Sequence, residues 1–543
     1  MSSGADNFVR EYQPADRSSL TALISELAGA DPAVVEQKLH IKYLQDYFDA
    51  LLAFASNGGP ARGTIVIETP YVDKDFLIDY QSYYVRCHWP YERFCSRLHF
   101  FDVAFGESEF VQALLQCSTR LSTDYLNDHY LGFLVIKKLP EAMFGRSCLK
   151  TYPNREDGRY YPITRPYYVN LFGIDLHVES LAFQEQDTVV AACATSALWS
   201  AFHYTSSRFQ HALPSPVEIT ENATTGMPLR GRALPSVGLT VEQMARAISS
   251  VGLESEYLEP WKAPIPASSD WLFKAILYGY LQGRTPLLIG VAVIEEGNPS
   301  RVDYHAITGV GFRLGEDVDP LPGAETCLTS SRMTRLYSHD DQVGPFSRNV
   351  FDGVLVDLKI DGTQTTLFSL GTSWNTDPAS TAKVRFVPMA IIVPIYHKIR
   401  IPITSVLGEV LGFDRLVEDL KADVPDLIDG RIEWDVFLSE SCQLKRDLAS
   451  QRRLPDEQLT PLLLKNFPRY LWRAIARSGD SVLAEIVFDA TDFARGNYCA
   501  LILGYDRYFN DVMGLLAQND AVMQYAVKSG AGHILQTYRK SRA

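Results

Sequence analysis

Gln186-Asp187-Thr188-Val189-Val190-Ala191-Ala192-Cys193-Ala194-Thr195-Ser196-Ala197-Leu198-Trp199 sets a cysteine at the mouth of an apolar, helix-forming run. The N-terminus of a helix is the positive end of its dipole, and a thiol placed there ionises more readily. Small side chains surround the cysteine, which lets a substrate backbone or a sheet approach the sulfur. Taken alone, Cys193 reads as packing, since free cysteines are among the most buried residues. A second stretch weighs against that reading. Asp303-Tyr304-His305-Ala306-Ile307-Thr308-Gly309-Val310-Gly311-Phe312 opens a strand-like run with a histidine. A histidine beside such a thiol can take its proton, and an amide such as that of Gln186 can bind the oxyanion that follows.

With these residues the chain resembles the papain-like cysteine peptidases. The nearer likeness is to their bacterial branch, the double-glycine leader peptidases and their relatives. That branch runs glutamine, a short gap, cysteine at a helix start, His-Ala-Ile or His-Ala-Val leading into a Val-Gly strand, and then an aspartate in a turn. The matching positions here are Gln186, Cys193 and His305, with Asp340 or Asp341 in Tyr337-Ser338-His339-Asp340-Asp341-Gln342-Val343-Gly344-Pro345. Gln186 stands seven residues before the cysteine where the family has six, and Ala194 replaces the glycine that often follows it. Gln184 is the alternative amide. The resemblance spans residues 180–400. It implies an α+β fold with a two-lobe core, cysteine on a helix and histidine on an antiparallel sheet. It also implies acyl transfer through a thioester on a protein or peptide. The same chemistry serves peptidases, amidases, deamidases and transglutaminase-type enzymes, and an inactive papain-like fold can persist as a protein-interaction module.

The histidine needs an orienter that accepts its second N–H. Asp340 and Asp341 compete for that role, with Asp340 preferred. Asn375 in Thr372-Ser373-Trp374-Asn375 is a third candidate, because papain-like chains also place an asparagine near a tryptophan. His339, Asp340 and Asp341 invite a metal reading, but adjacent residues on a strand point to opposite faces, so no metal site is expected. No cofactor is expected either. There is no GxGxxG run opening a helix, no Walker A sequence and no CxxC pair.

At 543 residues the chain exceeds a single core, and three segments are expected: an N-terminal mixed region over 1–175, the catalytic domain over 176–400 and a C-terminal region over 401–543. A net charge of −14 makes nucleic acid a poor partner. Scattered cysteines, no visible signal peptide and no long apolar run read as a reduced, cytoplasmic protein without a membrane partner. The flanking segments would gate the cleft or recruit a regulatory protein.

Along the chain, residues 1–60 read as helical, with one helix over 33–56, and Thr64–Glu68 as a strand. The Tyr/Arg-rich segment 70–101 reads as an amphipathic helix whose aromatics pack on a neighbouring domain. Residues 160–171 read as an extended linker and 213–236 as a loop. Thr240-Val241-Glu242-Gln243 has capping-box form. Strands are expected at 286–294, 305–312, 334–338, 353–360 and 387–395. In the tail, 403–421 and 456–476 read as helices and 481–489 and 500–504 as strands.

Overall fold

A computed structural model describes residues 8–12, 17–38, 44, 47, 50, 62–139, 141–152, 158–187, 189–225, 234, 238–262, 266–296, 298–316, 318–360, 362–373, 383–423, 431–494 and 496–542. Its architecture is mixed α/β with extensive antiparallel pairing, as expected for an α+β chain. Two compact units form, each from separated stretches. Unit 1 takes Met1–Glu259, Pro286–Gly311 and Leu336–Pro394; unit 2 takes Pro260–Thr285, Phe312–Arg335 and Ile395–Ala543. The boundary expected near 175 falls inside unit 1, and the one near 400 falls close to Ile395.

Unit 1 opens with an antiparallel five-stranded sheet in chain order: β1 (Val9–Tyr12), β2 (Gly63–Tyr71), β3 (Cys95–Phe101), β4 (Tyr130–Ile136) and β5 (Phe144–Leu149). β1 lies in a stretch expected to be helical; pairing with β2 overrides its local preference. Helices α1 (Arg17–Ala28) and α2 (Pro32–Gln37) follow it. The helix expected over 33–56 is broken at Lys38, whose backbone turns extended; beyond it only Leu44, Tyr47 and Ala50 are described, and all three are helical.

Segment 70–101 is helical only over α3 (Lys74–Ser82), with a 3-10 turn at Tyr84–Arg86, and it ends as β3. Every residue of β3 is buried, including Arg97 and His99. Arg97 Nε donates to Glu68 at 2.8 Å and its guanidinium lies over the Tyr71 ring; His99 Nδ1 shares a 2.9 Å hydrogen bond with the Tyr130 hydroxyl. Burial is tolerated because each charge or polar group is partnered.

The stretch expected as a linker is a hairpin, β6 (Arg165–Leu171) with β7 (Ile174–Ser180), turned at Phe172-Gly173. Its residues alternate between buried and exposed, so the period of two was present in the sequence. Three helices come next: α4 (Cys193–Phe209), α5 (Pro216–Thr224) and α6 (Val241–Ser250). α5 lies where a loop was expected and starts with its own capping box, Ser215 with Glu218. The Thr240–Gln243 box forms, with Thr240 N–H donating to Gln243 Oε1 at 2.9 Å.

The strands that follow include β8 (Glu254–Leu258), β9 (Leu287–Glu295), β10 (Asn298–Leu314), β11 (Met333–Asp340), β12 (Gly344–Val350), β13 (Leu355–Ile360), β14 (Thr363–Phe368), β15 (Leu370–Thr372) and β16 (Val384–Ile395). They include every strand expected between 286 and 395. The order β9-β10-β11-β12-β15-β16 closes on itself, because β16 also pairs with β9. The result is a six-stranded barrel, which removes the open edges a flat sheet would leave. β13 and β14 form a separate hairpin.

Unit 2 contains α7 (Trp271–Gln282), α8 (Ile403–Asp423), α9 (Ser441–Gln451), α10 (Asp456–Leu464) and a sheet of Cys327–Leu328 with β17 (Glu433–Glu440), β18 (Tyr470–Ser478), β19 (Ser481–Asp489) and β20 (Cys499–Gly504). The helix expected over 456–476 is α10 followed by β18. α7 lies so close to β17 that a Cβ on Gly283 would come within 2.6 Å of the Leu438 carbonyl oxygen.

Candidate active site

α4 begins at Cys193, and no side chain caps it, since its N-cap is Ala192. The first N–H groups of a helix have no intrahelical partner, so the Cys193 N–H remains available. Residues Ala194–Thr205 are buried, whereas Cys193 is half-buried. The loop leading into it is clamped by Asp187. Its Oδ1 accepts from the backbone N–H of Val189, Val190 and Ala191 at 3.0, 2.7 and 2.8 Å. Its Oδ2 accepts from the Tyr84 hydroxyl at 2.9 Å. Thr220 then donates its hydroxyl to the Val190 carbonyl at 2.8 Å.

α3 buttresses this loop and helix with carboxylates. Trp199 Nε1 donates to Asp75 at 3.2 Å, and the Val217 N–H donates to Asp79 at 3.1 Å. Burial, with the charge of Asp73 added, lifts the Asp75 carboxyl to about 6. Burial and the neighbouring Asp187 push Asp79 well above the usual carboxylate range. Part of the Tyr/Arg-rich segment is therefore the backing of the cysteine helix.

β10 carries His305. Three residues on, the Thr308 hydroxyl donates to the Ala197 carbonyl of α4 at 2.8 Å, fixing the strand against the helix. His305 Nε2 lies 2.9 Å from Asp340 Oδ1 and 3.6 Å from Asp341 Oδ1. The Cys193 side chain is also hydrogen-bonded to the imidazole. With Nε2 turned to the aspartates, Nδ1 is the nitrogen left for the thiol. His305, Asp340 and Asp341 are buried. Burial opposes charge on the imidazole, but the Asp340 and Asp341 carboxylates, with the hydrogen bond that Asp340 accepts and the interaction with Cys193, hold its pKa well above the ordinary value. Burial, opposed by His305 and reinforced by Asp340, lifts Asp341 to about 7.

Four of the five sequence-predicted residues thus fall into one cluster. Gln186 sits in the clamped loop, half-buried and without a side-chain hydrogen bond among the described residues, while Gln184 is buried. Asn375 lies outside the described residues. His339 turns away, its Nε2 donating to the Leu181 carbonyl at 3.0 Å and its Nδ1 accepting from the Phe346 N–H. The alternation argument holds for His339 and Asp340 but not for Asp341. Asp340 ends β11 and Asp341 is already in the turn, so both carboxylates reach His305.

Sequence reading missed Asp187, Tyr84 and Thr308. Asp187 carried a usable signal, because an aspartate just ahead of a helix start is a loop-closing residue. Tyr84 and Thr308 carried none.

The other cysteines differ from Cys193. All eight are free. Burial pushes the thiols of Cys95, Cys148 and Cys499 up to about 12, and Cys117 and Cys442 are exposed. No helix among the described residues is long and apolar enough to cross a membrane. No protein-family model and no curated protein matches this chain.

Proposed function

We propose that this chain is a cysteine hydrolase with a papain-like catalytic arrangement, acting on a protein or peptide through a thioester. The observation that carries the reading is one imidazole held between the Cys193 side chain and the Asp340 carboxylate. A thiol at a helix mouth and a histidine on a barrel strand fit the family resemblance.

In this mechanism His305 Nδ1 takes the Cys193 proton, and Asp340 holds Nε2–H and stabilises the imidazolium. The thiolate attacks the substrate carbonyl carbon. The Cys193 N–H and the Gln186 amide donate to the resulting oxyanion. His305 returns the proton to the leaving amine, whose C–N bond breaks. Water, deprotonated by His305, then attacks the thioester and frees the thiol.

Alkylation by iodoacetamide, followed site by site with mass spectrometry, tests this. Cys193 should react faster than the more exposed Cys117 and Cys442, and His305→Ala should remove the advantage. A Cys193 that reacts no faster than those two would refute catalysis and leave the fold as an interaction module.

A further inference from the structure

The turn after β11 orients its carboxylates in a way the acyl-transfer relay does not use. Among the described residues, His305, Asp340 and Asp341 form the one group of three side chains spaced for a metal ion, with one ligand atom from each lying within 4.8 Å of the others. Gln342 fixes the two acids. Its backbone N–H donates to Asp340 Oδ1 at 2.9 Å, and its side-chain amide donates to Asp341 Oδ2 at 3.0 Å. Two oxygens are left over. Asp340 Oδ2 is buried without a hydrogen-bond partner, and Asp341 Oδ1 faces His305 Nε2 at 3.6 Å. A buried carboxylate oxygen with no donor is costly unless something positive meets it.

We propose that a divalent transition ion, with Zn²⁺ as the probe, binds His305 Nε2, Asp340 Oδ2 and Asp341 Oδ1, and that it turns the site off without touching Cys193. Two carboxylates and one imidazole nitrogen are a donor set for zinc, with water completing the tetrahedron at about 2.0–2.2 Å. Two acids balance the charge of the dication. Gln342 becomes the outer partner that orients both carboxylates. It is only half-buried, so the turn meets solvent at this residue.

The inhibition follows from proton placement. A metal on Nε2 takes that nitrogen's lone pair, so the neutral imidazole carries its one proton on Nδ1. Nδ1 is the base of the acyl-transfer reading, and once protonated it can no longer accept the thiol's proton. From the neutral form the proton moves from Nε2 to Nδ1; from the imidazolium one proton is released to solvent. Binding rests on the geometry of the turn alone, whereas the switch rests on the acyl-transfer reading above.

The test titrates Zn²⁺ calorimetrically into the full chain carrying Cys117→Ser and Cys442→Ser. One ion per chain is expected, with unchanged affinity after Cys193→Ala and at least about tenfold weaker binding after Asp341→Asn. Because Asp341→Asn disturbs a buried cluster, Co²⁺ added to the unsubstituted chain gives an independent readout. Visible d–d absorption without a thiolate-to-cobalt charge-transfer band is expected. No binding, unchanged affinity in Asp341→Asn, loss of binding in Cys193→Ala, or a thiolate charge-transfer band would overturn the site. If the ion binds as described and the rate of Cys193 alkylation is unaffected by it, the switch is overturned. Alkylation without metal judges the acyl-transfer reading separately.

Discussion

Tyr84→Phe isolates the clamp behind the proposed nucleophile. The substitution removes one hydroxyl and keeps the ring, which packs edge-on against Tyr83 and Tyr91 with centroids 5.4 and 5.1 Å away. What is lost is a 2.9 Å hydrogen bond to the buried Asp187 carboxylate. A hydrogen bond to a charged acceptor contributes about 1.5–3 kcal/mol, and phenylalanine removes this one. At about 2.1 cal/mol/K of unfolding entropy per residue, a unit of this length should melt about 2–4 °C lower. Thermal unfolding measures that shift. The rate of Cys193 alkylation relative to Cys442 in the same sample measures the effect on the loop. It should fall, because Asp187 also fixes the three N–H groups that set where α4 begins. An unshifted melting point together with an unchanged rate ratio would show that the Tyr84–Asp187 bond does not hold the loop.

The Asp75 carboxyl has a folded value near 6 against an ordinary 3.8, so it adds stability while protonated and loses it as pH rises through about 6. Asp75→Asn keeps an acceptor for Trp199 and should flatten the fall in melting temperature between about pH 4 and 7, a difference of up to about 3 kcal/mol; identical pH profiles for both proteins would refute this. Thr308→Val should cost about 1 kcal/mol by removing the hydrogen bond to the Ala197 carbonyl, and Cys193 alkylation should slow as His305 loses its tether; an unaltered rate would separate the tether from the site. Cys193→Ala should melt within about 2 kcal/mol of the parent, since a half-buried thiol leaves little cavity, and an unfolded variant would assign Cys193 to packing. A chain starting at Asn170 would lose Asp75, Asp79 and Tyr84 and expose the buried faces of α4 and α5. It should be insoluble, and a soluble, cooperatively melting product would show that α3 is dispensable.

How much the sequence disclosed depended on whether a signal was local. Apolar runs announced β9 and β16, and capping chemistry announced α6. His305, Asp340 and Asp341 were legible as candidates because a strand-start histidine and a turn aspartate are local patterns. The choice between the two acids was not legible, because it depends on β11 ending at Asp340. β3 was hidden by Arg97 and His99, whose partners Glu68 and Tyr130 come from other strands. β18 was hidden in the same way, since Arg473 sits inside the sheet against Glu485 at 2.5 Å. The role of the α3 carboxylates was not legible because their partners, Trp199 and Val217, lie far along the chain.

Unit 1 is threaded through the chain in three pieces, and its barrel closes only when Val384–Ile395 pairs with Leu287–Glu295. During synthesis the helix bearing Cys193 therefore emerges long before its base has a scaffold. At about 5–20 residues per second, the roughly 200 residues from Cys193 to the closing strand take about 10–40 s. For that interval the nascent polypeptide carries the thiol without the barrel that positions its imidazole, so any activity at this site is deferred until the ribosome has passed the end of the barrel.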